Sequence, residues 1–339
     1  MKDIRNYSLL GHNTFGIDVR CHRFLEYTTV DEAQQITRML GEDDEPLMIL
    51  GGGSNLLLTH DYPGTVVHSA MKGMSLIEDD GATVLLECGS GEVFDDVVAY
   101  AVVHGYHGAE NLSLIPGEVG ASAVQNIGAY GAEAKDIIYK VEAVEIKTGH
   151  VVAFSNEDCE YGYRQSRFKH EWKGKYLITH VVYKFSHEFV PSLDYGNIRT
   201  SLQKQGILGH PTAQQLRDTI IEIRNAKLPD PKEQGNAGSF FMNPIVERAK
   251  YESLEAQYPG MPHYTIDALH EKIPAGWMID QCGWKGKSLG RAGVHDKQAL
   301  VLVNRGGATG QEVVQLCKAI QQDVKNKFGI EIHPEVNIE

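Results

Sequence analysis

The sequence predicts an α+β protein of two or three domains, and three observations carry that expectation. The chain has 339 residues, more than one hydrophobic core ordinarily serves. Stretches with the two-residue alternation of strands and stretches with helical spacing both occur, and strand signals dominate from about residue 72. Two glycine-rich segments, Leu50-Gly-Gly-Gly-Ser-Asn55 and Ile115-Pro-Gly-Glu-Val-Gly120 running on to Asn126-Ile-Gly-Ala-Tyr-Gly131, expose backbone N–H groups of the kind a phosphate or pyrophosphate needs. Neither is a dinucleotide fingerprint or a P-loop, so a phosphorylated cofactor held here is held by a different route.

Thr29 and Glu32 have the spacing of a capping box, a helix follows over residues 30–40, and Gly41 closes it. Leu47-Met-Ile-Leu50 reads as a short buried strand running into the three glycines, and Val66-Val67-His68 as another, so the first seventy residues form a small α/β unit. Strands are then expected at 83–88, 139–146 and 177–185, with an apolar-faced helix at 94–103. A linker marked by Gly and Pro at 203–212 precedes a helix at 213–225. After a Pro/Gly-rich loop at 228–238 come a helix from Ile245, a helix capped by Pro274 and running through Cys282, a strand at 299–303 and a helix at 311–328. The tail from Gly329 to Ile338 alternates like a strand.

Composition is that of a globular protein, 42% hydrophobic and 23% charged, and the net charge of −13 argues against a nucleic-acid footprint. A local basic pocket for a small anionic substrate is compatible with it. The five cysteines, Cys21, Cys88, Cys159, Cys282 and Cys317, are scattered and never form a CxxC pair, which fits a reducing compartment. The first residues lack a signal-peptide apolar core and no apolar run reaches membrane-spanning length. A soluble, cytoplasmic protein that binds neither nucleic acid nor membrane is therefore expected. The fifteen histidines show no metal-ligand spacing, and neither HExxH nor GxSxG occurs, so no metal is expected and the commonest hydrolase pattern is excluded.

Gly89-Ser-Gly91-Glu-Val-Phe94 follows a strand and precedes a helix, as a dinucleotide loop does, but Phe94 stands where close packing requires a third glycine. It is read as an ordinary strand-to-helix turn. Gly51, Gly52 and Gly53 form either a tight turn or an anion cradle, to which Ser54 and Asn55 add side-chain donors. Pro116, Gly117 and Gly120 followed by Ala121 and Ser122 make a turn that a phosphate or a flat ring can approach, and Gly128 and Gly131 continue the permissive backbone. In Asn236-Ala-Gly-Ser-Phe-Phe-Met-Asn243 two phenylalanines back Ser239, which is either a loop hydroxyl or a fixed proton donor. Arg164 lies among aromatic residues that can pin its guanidinium, a surface ion pair being the alternative. Glu335, next to Pro334 in the tail, is an acid that by itself reads as a solvated edge residue.

With these motifs in order, the chain resembles the UDP-N-acetylenolpyruvoylglucosamine reductase family over nearly its whole length. The resemblance rests on Asn13-Thr-Phe-Gly16, Leu50-Gly-Gly-Gly-Ser-Asn-Leu56, Ile115-Pro-Gly-Glu-Val-Gly-Ala-Ser122, Gln125-Asn-Ile-Gly-Ala-Tyr-Gly131, Tyr163-Arg-Gln-Ser166, Gly238-Ser-Phe-Phe241, Pro274-Ala-Gly-Trp277 and His333-Pro-Glu335. Ser192-Leu-Asp-Tyr-Gly196 is similar to the tyrosine loop of the family's type I branch. The resemblance implies a vanillyl-alcohol-oxidase-type fold of two FAD-binding lobes with a third, α/β substrate-binding domain. Lobe one is then expected at 1–71 completed by 328–339, lobe two at 72–212, and the substrate domain at 213–327.

The activity so implied is reduction of the enolpyruvyl ether of UDP-N-acetylglucosamine at the expense of NADPH, with FAD as resident cofactor and a monomer as the assembly. The implied catalytic residues are Ser239 as proton donor, Arg164 on the substrate carboxylate, and Glu335, expected to be protonated or paired with Arg164. Implied cofactor contacts are Gly51, Gly52, Gly53, Ser54, Asn55, Pro116, Gly117, Gly120, Ala121, Ser122, Gly128 and Gly131. Implied substrate contacts are Tyr195, Lys227 (on the diphosphate), Asn243, Gln298 and Arg224. Met242 and Arg291 depart from the family pattern.

Overall fold

Thr29 accepts a hydrogen bond from the Glu32 amide and starts the helix Val30–Met39, whose Ala33 and Ile36 face the core. The Glu32 carboxylate does not close the capping box onto Thr29; it accepts from the Thr28 amide and hydroxyl and pairs with the N-terminal ammonium. These and all other residues, 1–339, are described by a computed structural model. The chain divides into two compact units: Met1–Tyr7, Cys21–Gly52 and Pro63–Ala226 form the first, and Ser8–Arg20, Gly53–Tyr62 and Lys227–Glu339 the second.

The first unit contains two sheets. One has the order Lys2–Ser8, Arg20–Tyr27, Tyr62–Ser69, Leu47–Leu50, its last pair being parallel, with Leu47 opposite Thr65 and Leu50 opposite His68. The other is a five-stranded antiparallel sheet in the order Val151–Ser155, Ile138–Glu145, Tyr176–Ser186, Thr83–Gly89, Met74–Asp79. Helix Phe94–His104 packs Phe94, Val97, Val98 and Ala101 into the core of that second sheet with Val84, Leu86, Val181 and Tyr183. A smaller core of Leu25, Tyr27, Ile36, Val67, Val144 and Leu177 joins the two sheets, and the buried Tyr27 hydroxyl donates to the Ile178 carbonyl at 2.7 Å. Helices Ile198–Lys204 and Ala213–Lys227 pack Ile198, Leu202, Leu216 and Ile220 together.

The second unit has a four-stranded antiparallel sheet, Asn236–Ser239, Val301–Asn304, Ala292–Val294, Ser288–Leu289, and a three-stranded one, Ile245–Glu247, His270–Lys272, Tyr264–Thr265. Helix Gly310–Phe328 begins in a complete capping box of Thr309 and Glu312 and buries Val313, Leu316, Cys317, Ile320, Val324 and Phe328 at helical spacing. Two-residue strands, Asn337–Ile338 and Leu56–Leu57, pair in parallel.

Several elements differ from expectation. Lys2–Ser8 is a strand the sequence does not announce, because its residues are mostly exposed and only Ile4 and Tyr7 are apolar or aromatic. Ile245–Glu247 is a strand paired with His270–Lys272, and the helix begins only at Arg248. Most of the tail is extended without ladder partners; only Asn337–Ile338 joins a sheet.

Candidate functional site

In the first unit, strand Leu47–Leu50 ends at Gly51 and Gly52, which pack directly on the second glycine-rich segment. A Cβ on Gly51 would stand 3.2 Å from the Ala121 Cβ, and one on Gly52 would stand 3.6 Å from the Gly117 Cα. The Glu118 side chain lies at the same junction, its Cγ 3.6 Å from the Gly52 Cβ position. The turn at residues 89–94 holds the segment from behind: Gly120 N–H donates to the Ser90 carbonyl at 2.8 Å, Val119 N–H to Glu92 at 2.9 Å, and Phe94 N–H to Gly117 at 3.0 Å. Pro116 is exposed beside it.

Residues 119–125 are not the expected open turn but a short helix, Val119–Gln125. Ser122 lies fully buried in it; its amide donates to the Glu118 carbonyl, and its hydroxyl bonds the Val119 carbonyl and the Tyr183 hydroxyl at 2.6 and 2.7 Å. Its polar groups are therefore committed to the core.

Further along, Asn126 caps the helix Val119–Gln125 with a left-handed φ of 48°, and Gly128–Ala129 and Ala132–Glu133 form a small hairpin whose turn residue Tyr130 has a φ of 49°. Gly131 lies against Tyr195, whose Cβ would be 3.5 Å from a Cβ placed there, and the Tyr130 and Tyr195 rings meet edge-on at 6.3 Å. Buried Asn111 ties this hairpin to the tyrosine loop by donating to the Tyr130 and Ser192 carbonyls at 2.8 and 3.0 Å.

Arg164 sits at a tight reversal between Gly162 and Gln165 with φ of 57°, strained for a residue with a side chain. Its guanidinium donates to the Gly128 carbonyl at 2.5 Å and the Asn126 carbonyl at 3.4 Å and lies 5.3 Å from the Tyr163 ring. Arg224 has a buried Nε without a hydrogen-bond partner; burial lowers its pKa, while Tyr130 and Asp95 raise it. The structure thus gathers Gly128, Gly131, Tyr195, Arg164 and Arg224 around one hairpin.

In the second unit, Gly53 adopts φ of 62°, and a Cβ there would fall 2.0 Å from the His12 carbonyl oxygen. The motif Asn13-Thr-Phe-Gly16 explains that crowding. The Asn13 carboxamide, buried, bonds Leu9 and Ile17 backbone groups, and Thr14 donates through its amide to Gly53 and through its hydroxyl to Asn236 at 2.6 Å. One motif therefore supports both Gly53 and the strand Asn236–Ser239. Ser54 and Asn55 follow, half-buried, with the Asn55 carbonyl accepting from the Asn337 amide at 3.2 Å.

Ser239, exposed at the end of its strand, lies opposite Val301. Phe240 and Phe241 behind it are fully buried and meet edge-on at 5.2 Å. The tail crosses the same segment: Glu335 N–H donates to the Phe240 carbonyl at 2.8 Å and Met242 N–H to the His333 carbonyl at 2.9 Å. Asn243 and Gln298 both flank the start of helix Ala275–Gln281; the Asn243 Oδ1 accepts from Ala275 N–H at 2.9 Å, and the Gln298 Oε1 lies 3.2 Å from where a Gly276 Cβ would be. Lys227 is exposed at the end of helix Ala213–Lys227. Arg291 has a partner of its own, Glu312, at 2.9 Å.

Sequence reasoning did not single out Glu118, Tyr130 or Asn111. An acid inside Pro-Gly-Glu-Val-Gly is the one legible signal among them, because such a segment has no other charged residue.

Two family models match the chain: an FAD-binding domain over residues 22–155 and the C-terminal domain of UDP-N-acetylenolpyruvoylglucosamine reductase over residues 230–339. The reductase of that name from Bacteroides fragilis is 53% identical over 334 residues, covering 98% of this chain and 99% of the relative. The one from Porphyromonas gingivalis is 47% identical over 335 residues, with 98% of each covered. Among solved structures, the reductase from Thermus caldophilus superposes with a TM-score of 0.67 at 22% identity, covering 99% of this chain and 98% of its own, which speaks for the fold.

Proposed function

This chain belongs to the UDP-N-acetylenolpyruvoylglucosamine reductase family, and from that premise we propose how its residues divide the chemistry. The protein is an FAD-dependent oxidoreductase of peptidoglycan precursor synthesis that reduces the enolpyruvyl ether of UDP-N-acetylglucosamine. Its first unit fits FAD in one respect of its own. Gly51 and Gly52 bring bare backbone against Gly117 and Ala121, a Cβ on Gly51 standing 3.2 Å from that of Ala121, and a buried carboxyl oxygen of Glu118 beside them lacks a partner. Bound FAD supplies hydride transfer, from NADPH to the vinyl carbon of the substrate.

The chain's own residues then have three tasks. Addition of hydride leaves negative charge on the carbon bearing the carboxylate, which must be stabilised and protonated. Arg164, its guanidinium oriented by two backbone carbonyls, is assigned to the substrate carboxylate, for which a planar fork is suited. Ser239 is assigned as proton donor and Glu335 as its acidic neighbour. Lys227 is assigned to the diphosphate, and Tyr195, Asn243, Gln298 and Arg224 to the rest of the nucleotide sugar.

The observation carrying this assignment is the tail contact: the hydrogen bond from Glu335 N–H to the Phe240 carbonyl holds the backbone of the acid against the residue that follows Ser239. For the lobes we propose residues 1–71 completed by 328–339, then 72–212, then a substrate domain at 213–327; the pairing of Asn337–Ile338 with Leu56–Leu57 supports the return of the tail. We assign the protein to the cytoplasm as a monomer using NADPH; no helix is long and apolar enough to cross a membrane. Anaerobic titration is the test. NADPH should bleach the yellow protein, and the enolpyruvyl nucleotide should restore its colour. A colourless protein that takes up no FAD would sink the reading.

A further inference from the structure

Glu118 has no task in the scheme above, yet it sits where the two glycine-rich segments meet. Its Oε2 is 3.5 Å from the Cβ position of Gly51 and its Cγ 3.6 Å from that of Gly52. The side chain is 17% exposed, and Oε2 is buried with no hydrogen-bond partner. Oε1 faces the Nε2 of His68 at 3.9 Å, beyond hydrogen-bond reach. His68 donates through Nδ1 to the Leu50 carbonyl at 3.0 Å, and burial lowers its pKa, so it is neutral and brings no charge.

The other charged groups around Glu118 do not neutralise it. Lys72 lies 3.6 Å from Glu92 and donates to the Gly91 carbonyl, while Glu26, of like charge, is paired with Lys2 at 2.6 Å. Tyr27, from the same strand as Glu26, is a neutral phenol. Burial pushes the Glu118 carboxyl up to about 8, with Lys72 drawing it down and Glu26 pushing it up. At neutral pH the residue is an uncharged acid.

We propose that Glu118 is a proton-dependent positioning residue of the FAD site, supporting the Gly51–Gly52 backbone as the neutral acid and weakening the hold on the cofactor as the carboxylate. The inference rests on the reading that these segments hold the pyrophosphate of FAD. A carboxylate against the same backbone places like charge beside that group, enough to weaken binding on the order of ten- to a hundredfold. By linkage, affinity is level while Glu118 is protonated and declines by up to about tenfold per pH unit once it ionises.

The experiment is a series of FAD dissociation constants for apoprotein prepared from the full chain, read by flavin fluorescence between about pH 6.5 and 9.5. Wild type is expected to bind with constant affinity up to about pH 8 and at least about tenfold more weakly at the top of the range. Glu118→Gln, an uncharged isostere, is expected to bind tightly with a level profile. A level wild-type profile overturns the inference without recourse to the variant and leaves the flavoprotein reading standing. An undiminished pH slope in Glu118→Gln overturns it too, by assigning the titration to another group. Failure of wild type to bind FAD at any pH overturns both.

Discussion

A serine hydroxyl is a weak acid, and what the fold supplies to Ser239 is fixity. The strand register opposite Val301, the buried pair Phe240 and Phe241, and the tail crossing at residues 333–335 all hold its backbone. Ser239→Ala should keep FAD and its bleaching by NADPH but slow reoxidation by the enolpyruvyl nucleotide on the order of 10²–10³-fold; stopped-flow absorbance decides, and unchanged reoxidation removes Ser239 from the role. Arg164→Lys keeps the charge and loses the fork. A hydrogen bond to a charged group is worth about 1.5–3 kcal/mol, so kcat/KM should fall by about ten- to a hundredfold with flavin reduction unaffected. Ser239, Arg164 and Glu335 were legible only through the motifs around them, since a lone serine, arginine or glutamate carries little signal. Glu118 was missed for a physical reason: an acid flanked by Gly and Val reads as solvated, and only the packing of Gly51 and Gly52 on it places it inside.

Gly53 and the ion-pair cluster at Arg23 show how elements are locked. Alanine at Gly53 would need a left-handed φ and would collide with the His12 carbonyl, so Gly53→Ala should cost at least about 1–3 kcal/mol, visible as a melting temperature lowered by several degrees. Arg23 joins strand Arg20–Tyr27 to the first strand through Asp3 at 2.7 Å and to Asp44 at 2.8 Å. Asp44→Ala leaves the Arg23 guanidinium with Asp3 as its one carboxylate partner, and loss of a hydrogen bond between charged groups predicts about 1.5–3 kcal/mol less stability in denaturant titration. The Arg23 hydrogen bond holds the Asp3 carboxyl below its ordinary 3.8; burial would raise that of Asp44, but bonds from Arg23, Thr65 and Gly41 outweigh it. Both carboxyls thus contribute fully above pH 3.8 and lose that contribution as pH falls below it, so wild type should unfold in acid over a range where Asp44→Ala has less left to lose. Capped, strongly periodic helices such as Val30–Met39 and Gly310–Phe328 were readable from sequence. Short strands were not: Ile245–Glu247 has no alternation long enough to register, and its pairing with His270–Lys272 is a tertiary fact.

At the scale of the whole molecule, neither unit is a continuous stretch of chain. The second takes in Ser8–Arg20 and Gly53–Tyr62 along with everything from Lys227 onward. Composition and linkers cannot reveal such interleaving, because it is written in pairings between distant residues. Thr59 N–H donates to the Glu339 carbonyl, and the Asn55 and Phe240 carbonyls accept from the tail at Asn337 and Glu335. Removing residues 333–339 should therefore raise hydrogen exchange at the Thr59 and Met242 amides while leaving the five-stranded sheet of the first unit protected. The same pairing has a consequence during synthesis. Strand Leu56–Leu57 leaves the ribosome early, but its partner Asn337–Ile338 is made some 280 residues later, roughly 15 to 60 seconds at ordinary elongation rates of about 5–20 residues per second. For that interval the nascent chain carries an unpaired edge beside its first glycine-rich loop, exposed to chaperones and proteases. A chain cut before Asn337 never closes it, so this edge is sealed only after residues 337 and 338 have been made.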